Sequence, residues 1–274
     1  MDKRRMCPHC RAFITTSDRV CPYCSTPVGP RAIDLRAPGD ILGGLIPQEH
    51  FTTALILTIN VGLYLATMVF SMRNGQGTLM DVDGQTLFYF GGKLRMAVLA
   101  GQWWRLITAG FLHGGLFHIL MNSWVLLDLG RQVEEIYGAR RFIVIYFAST
   151  VLGFLASTFW SENLSIGASA GIFGLIGAMI ALGVRHRSPL GDAIRGHYLR
   201  WAIYGFAIGL IPGFRVDNAA HLGGLAAGFA ASYLMGTPSL VENWREWLWK
   251  VSAIGSVALT VLAFLQMYLW FASL

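Results

Sequence analysis

The chain has 274 residues, 54% of them hydrophobic and only 13% charged, with a formal net charge of +6. A mean hydropathy of +0.52 is too apolar for an ordinary soluble domain, in which roughly 25% of residues carry charge. A soluble globular fold is therefore excluded, and the distribution of the basic residues bears on membrane topology more than on nucleic acid.

All four cysteines fall in one short segment at the N-terminus, as Cys7-Pro8-His9-Cys10 and Cys21-Pro22-Tyr23-Cys24. Two C-x-x-C hooks supply four thiolates that can close tetrahedrally on zinc. The spacing predicts a small zinc-ribbon-like knuckle over 1–28, with Cys7, Cys10, Cys21 and Cys24 as ligands and His9 as a bystander. A redox pair or two disulfides are the alternatives, and a cytosolic location keeps thiols reduced. The segment is basic. A partner protein or an anionic lipid surface, where each basic side chain contributes on the order of 1 kcal/mol, is the expected contact; nucleic acid is not. Pro and Gly then mark 29–49 as a linker.

From residue 50 onward apolar blocks alternate with short polar ones. Phe51–Phe70, Phe142–Trp160, Ile166–Val184, Ala219–Met235 and Val251–Phe271 each approach the roughly 20 residues that cross a ~30 Å hydrocarbon core. Leu116–Gly130 and Leu199–Ile211 are weaker and are read as short helices shielded within a bundle, for seven spans in all. The expected fold is all-α and polytopic. Sixteen of the 21 Lys and Arg lie in 1–50, 131–141, 185–200 and 236–250, which places the N-terminus inside and the C-terminus outside. Trp201, Trp244, Trp247 and Trp249 sit near expected interfaces.

Three groups of polar residues interrupt these blocks, where polar side chains are costly and ask for a functional reason. His113 and His118 precede Asn122 at the start of one span; His118 and Asn122 are i, i+4, and both types can donate to a developing oxyanion. Metal binding by these residues is the weaker alternative, because no carboxylate with ligand spacing lies nearby. Ser169 opens the next-but-one span in Gly167-Ala168-Ser169-Ala170-Gly171. That run matches G-x-S-x-G, but its apolar flanks have membrane length and exclude the strand–turn–helix of an α/β-hydrolase. Close helix packing through Gly171, Gly174 and Ala178 is the structural alternative. His221, Gly224 and Gly228 share one helical face; packing against the Gly171/Gly174 face would bring His221 toward Ser169 as a general base.

Jointly, Trp104-Arg105, His113, His118, Asn122, Gly167-Ala168-Ser169, and His221 with Gly224 and Gly228 resemble the rhomboid intramembrane serine proteases, over about residues 50–235. The resemblance implies a six-helix core (50–235), with 236–274 contributing an interfacial segment and one extra C-terminal helix. It implies a Ser169–His221 dyad without a third carboxylate, and an oxyanion site formed by His118, Asn122 and the Ser169 backbone N–H beside Gly167. His113 would have a structural or water-organising role, and Phe173 would pack on the catalytic imidazole. Water would enter along the loop around Gly101–Gly115. Expected substrates are single-span membrane proteins cleaved near the outer leaflet, in the lipid bilayer of a bacterial cytoplasmic membrane. Ala170 departs from the Gly that many members carry after the serine, and its methyl is expected to narrow the oxyanion site. An inactive scaffold that binds membrane clients, and a small-solute transporter, are the rival classes; the near-absence of acidic residues from the spans disfavours the transporter.

Overall fold

The structure is a computed structural model describing residues 4–7, 9–15, 18–28, 50–211, 216–238 and 244–273. It divides into two compact units, Met1–Glu49 and His50–Leu274. The linker expected over 29–49 lies outside the described residues, as do 212–215 and 239–243.

The first unit contains two short antiparallel strands, β1 (Arg4–Met6) and β2 (Phe13–Thr15), with Met6 opposite Phe13. Its two Cys-Pro-x-Cys segments fold alike. In one, the Cys7 amide donates to the Ala12 carbonyl and the Arg11 amide to the Cys7 carbonyl. In the other, the Cys21 amide donates to Thr26 and the Ser25 amide to Cys21. Arg11 and Ser25 occupy the same position of each hook, and both take a positive φ (60° and 55°). Buried Cys7, Ile14, Cys21 and Val28 make up a core far too small to stabilise so short a chain by itself.

The second unit is a helical bundle. α1 (Phe51–Arg73) is followed by three short helices, α2 (Gly84–Tyr89), α3 (Arg95–Leu99) and α4 (Arg105–Thr108), and a 3-10 turn over Ala109–Phe111. α5 (Leu116–Trp160), α6 (Ser169–Arg185), α7 (Pro189–Ile208), α8 (Asn218–Met235) and α9 (Trp244–Ala272) complete it. α1, α5 and α9 are each long and apolar enough to cross a membrane. α5 comprises two helical segments separated by a break at one residue, Gly138 (φ 73°, ψ 160°), a conformation essentially confined to glycine. The polar loop expected over 131–141 is thus helical on both sides of that break.

α7 also begins earlier than the apolar block at Leu199 suggests. Ser188 accepts a hydrogen bond from the Gly191 amide and Pro189 occupies the first turn, so capping carries the helix through polar residues that hydropathy assigns to a loop. α1 lacks a local cap; the Glu134 carboxylate of α5 instead accepts from the Thr52 and Thr53 amides and the Thr53 hydroxyl, at 2.9, 2.9 and 2.7 Å. Of the tryptophans expected at interfaces, Trp244 and Trp247 are exposed, whereas Trp249 is buried with its ring 5.2 Å from the Arg141 guanidinium.

α6 is the axis of the bundle, packed against α5, α7 and α8, and every residue from Ala170 to Gly183 is buried. Glycine makes the packing close. A methyl on Gly224 would stand 2.1 Å from the Ala170 carbonyl oxygen, and one on Gly228 would stand 2.0 Å from that of Gly174. Backbones meeting at this distance are the small-residue packing of membrane helices. The register corrects one expectation. Gly171 does not face α8 but lies against the Tyr146 ring of α5, and the surface of α6 that meets Gly224 is the Ala170 backbone.

Candidate functional site

Ser169 is the first residue of α6, following Gly167, whose φ of +124° favours glycine. The Gly167 amide donates to the Ala109 carbonyl at 2.9 Å, which holds the approach segment against the 3-10 turn. Between Gly167 and Gly183, Ser169 alone is only half-buried. Its hydroxyl therefore lies at an accessible edge of an otherwise enclosed helix.

His118 and Ser169 flank the same face of Gly167. A Cβ there would lie 2.7 Å from His118 Nε2 and 3.7 Å from Ser169 Oγ. Any side chain at 167 would occupy the space between them. His118 is half-buried one turn into α5, and Asn122 on the following turn donates through Nδ2 to the His118 carbonyl at 3.1 Å. A primary amide has two N–H donors, so one remains for another acceptor. His113 is fully buried, its ring 5.0 Å from that of His118 in an edge-on arrangement, and neither of its nitrogens has a partner among the described residues.

His221 projects from the first turn of α8. Its imidazole stacks on Phe173 of α6 with ring centroids 4.0 Å apart and planes 15° from parallel, and Phe206 of α7 meets it edge-on at 6.2 Å. Phe173 is held from behind by Gly205, where a Cβ would be 2.5 Å from the ring. Nδ1 of His221 is buried without a hydrogen-bond partner among the described residues. No carboxylate there orients the ring, which owes its position to aromatic packing.

Trp104 and Arg105 belong to the frame. The Arg105 guanidinium donates to the Phe88 and Gly92 carbonyls at 2.7 and 2.8 Å and to Gln102 Oε1 at 2.6 Å. It lies between the rings of Phe88 and Trp270, at 4.0 and 4.8 Å. Trp104 through His113 is buried apart from a half-buried Leu106. The water path expected around Gly101–Gly115 is thus largely a packed segment, which Arg105 ties to the preceding one through the Phe88 and Gly92 carbonyls. Spacing along the chain did not single out one further set: buried Lys93 and Ser157 join half-buried Asp217 in a hydrogen-bonded chain. The available signal was that Lys93 is the sole lysine between Lys3 and Lys250.

In the first unit the four cysteine sulfurs lie within 4.8 Å of one another, with Cys7–Cys24 and Cys10–Cys21 each at 3.7 Å. Four sulfurs at about 2.3 Å from one tetrahedral ion are about 3.8 Å apart, so the donor set fits a metal. The Thr26 hydroxyl and amide hold the Cys24 thiol down at about 5, whereas, against the lowering Ala12 amide, contact with Cys24 pushes the Cys10 thiol up to about 12.

A family model described as the Rhomboid domain matches residues 100–238. The chain is 35% identical over 192 residues to "Rhomboid protease GluP" of Bacillus subtilis, covering 67% of this chain and 36% of that protein. It is 29% identical over 236 residues to "Rhomboid-like protease 2" of Toxoplasma gondii, covering 82% and 81%. An "Inactive RHOMBOID-like protein 8" of Arabidopsis thaliana is 32% identical over 153 residues, covering 54% and 43%. The chain thus spans little more than a third of its Bacillus relative.

Proposed function

The chain belongs to the rhomboid family, and from that premise we propose that it is an intramembrane serine endopeptidase working through a Ser169–His221 dyad. The observation that carries this reading is the Phe173–His221 stack, which orients an imidazole without a carboxylate, on a helix whose Gly224 closes onto the backbone beside Ser169.

His221 takes the Ser169 proton as Oγ attacks the scissile carbonyl. The developing oxyanion receives hydrogen bonds from the Ser169 amide, His118 Nε2 and the remaining Asn122 N–H. The imidazolium then protonates the leaving amine, and water deacylates the serine by the same route. Gly167 leaves the oxyanion space open, and His113 supports His118. Rhomboid proteases act on transmembrane substrates within the bilayer; single-span proteins whose helices unwind near the outer leaflet suit this site. The basic-residue bias supports an N-in, C-out orientation in a bacterial cytoplasmic membrane, with 50–235 as the protease core and α9 as an addition to it. The cysteine cluster is read as a structural zinc site facing the cytosol, outside the chemistry.

The test is cleavage of a single-span reporter by purified protein, with Ser169→Ala and His221→Ala alongside, and fluorophosphonate labelling of Ser169. Cleavage and labelling lost in both variants support the reading. A wild-type protein inert in both assays would make the chain a client-binding scaffold.

A further inference from the structure

Lys93, between α2 and α3, is completely buried. Its ammonium donates to the Ser157 carbonyl at 3.1 Å, the Ser157 hydroxyl at 2.8 Å and the Ser161 carbonyl at 2.9 Å. All three N–H donors are thereby used. The Ser157 hydroxyl passes the contact on by donating to Asp217 Oδ2. Asp217 is the N-cap of α8: its other carboxylate oxygen accepts from the Ala220 amide at 3.0 Å, and its carbonyl accepts from the His221 amide at 3.1 Å. A buried ammonium therefore reaches the first turn of the helix that carries His221 through a single hydroxyl.

The backbone of the same lysine faces the other way. Lys93 and Ser165 exchange both backbone hydrogen bonds, at 2.9 and 2.8 Å, as an isolated antiparallel bridge. Ser165 lies four residues before Ser169. We propose that Lys93 is a positioning residue that holds the segment leading to Ser169 and the helix start carrying His221 in one register. It grips the first through its backbone and the second through its side chain. The backbone bridge alone could be made by any apolar residue. A buried charge is costly unless compensated, and here the ammonium reaches, through the Ser157 hydroxyl, the carboxylate that caps the histidine helix.

This inference rests on the Ser169–His221 reading, and the experiment separates the two. Full-length wild type, Lys93→Met, Ser157→Ala, Asp217→Asn and Lys93→Met/Asp217→Asn are compared in bilayers for reporter kcat and KM, fluorophosphonate labelling rate, and backbone hydrogen exchange. A shift of about 1 Å in a reacting group costs on the order of a hundredfold. Lys93→Met and Ser157→Ala are accordingly expected to lower kcat by about tenfold or more, with KM little changed and labelling slowed in parallel. Exchange should rise together in 163–170 and 217–222, but not in α9. The double variant should lose no more than Lys93→Met alone, because both act in one chain of contacts. Wild-type kcat in the single variants, a change confined to KM, a loss that follows the folded fraction, or multiplying losses would each overturn the proposal. Wild-type protein that neither cleaves nor labels overturns the dyad reading instead; Lys93 is then judged by exchange, and the absence of a joint rise in the two segments sinks it.

Discussion

The Ala170 methyl faces the bare Cα of Gly153, where a Cβ would stand 2.9 Å from it. Ala170 is fully enclosed, in a cluster with Ala109, Phe154 and Ala220. The methyl next to Ser169 therefore fills the seam between α5, α6 and α8. Ala170→Gly is expected to cost about 1 kcal/mol in stability through helix propensity. It should change kcat/KM by less than about tenfold, or about 1.4 kcal/mol of barrier. Gly153→Ala should destabilise by about 1–3 kcal/mol through overpacking, since its methyl would also meet the Ala220 carbonyl at 2.7 Å. Denaturant titration in mixed micelles and reporter kinetics check both.

The imidazole depends on Phe173, and Phe173 depends on Gly205. Adding a methyl at 205 would bring it 2.5 Å from the ring, so Gly205→Ala should tilt the aromatic stack. The expected outcome is a fall in kcat of about tenfold, with the unfolding midpoint nearly unchanged. Phe173→Ala should lose kcat more severely and also destabilise, by about 3–5 kcal/mol. If Gly205→Ala leaves kcat at the wild-type value, the stack is not what orients His221.

α9 is tied to α5 by a bidentate ion pair. Arg141 Nη1 and Nη2 donate to the two Glu246 carboxylate oxygens at 3.0 and 2.7 Å, with both side chains nearly enclosed. Removing one member of such a pair leaves an uncompensated charge, so Glu246→Leu is expected to destabilise by about 3–5 kcal/mol. Arg141→Met/Glu246→Leu should recover most of that, because matched apolar groups often replace a buried pair without loss. Thermal unfolding of the single and double variants checks this.

The knuckle should behave as a metal-dependent unit. Purified protein is expected to hold one zinc per chain by elemental analysis, and Cys7→Ser or Cys21→Ser should release it, because both thiols are buried among the other ligands. Reporter cleavage by solubilised protein should survive chelation, since no metal enters the proposed chemistry.

Much of the bundle was legible in the sequence because burial in lipid demands long apolar runs and leaves few ways to satisfy the backbone. Hydropathy located helices at Phe51, Phe142, Ile166, Ala219 and Val251 but blurred those whose ends are polar. α7 runs on through Asp192 and Arg195 because Ser188 and Pro189 start it, and a single glycine at 138 divides α5. The residues of the candidate site announced themselves as hydroxyl, imidazole and amide groups in apolar surroundings, and the Cys-x-x-Cys hooks by their spacing.

Their arrangement was another matter. Spacing puts His221, Gly224 and Gly228 on one face, yet it does not say which backbone they meet. The structure pairs Gly224 with Ala170 and turns Gly171 toward Tyr146. Nothing local links Lys93 through Ser157 to a carboxylate more than a hundred residues away, or aims the Ala170 methyl at Gly153. Residue type and periodicity are properties of the chain and can be read along it. Which small residue lets which backbone approach, and which buried charge finds its counter-ion, are set by close packing between segments distant in sequence, and only the folded bundle specifies them.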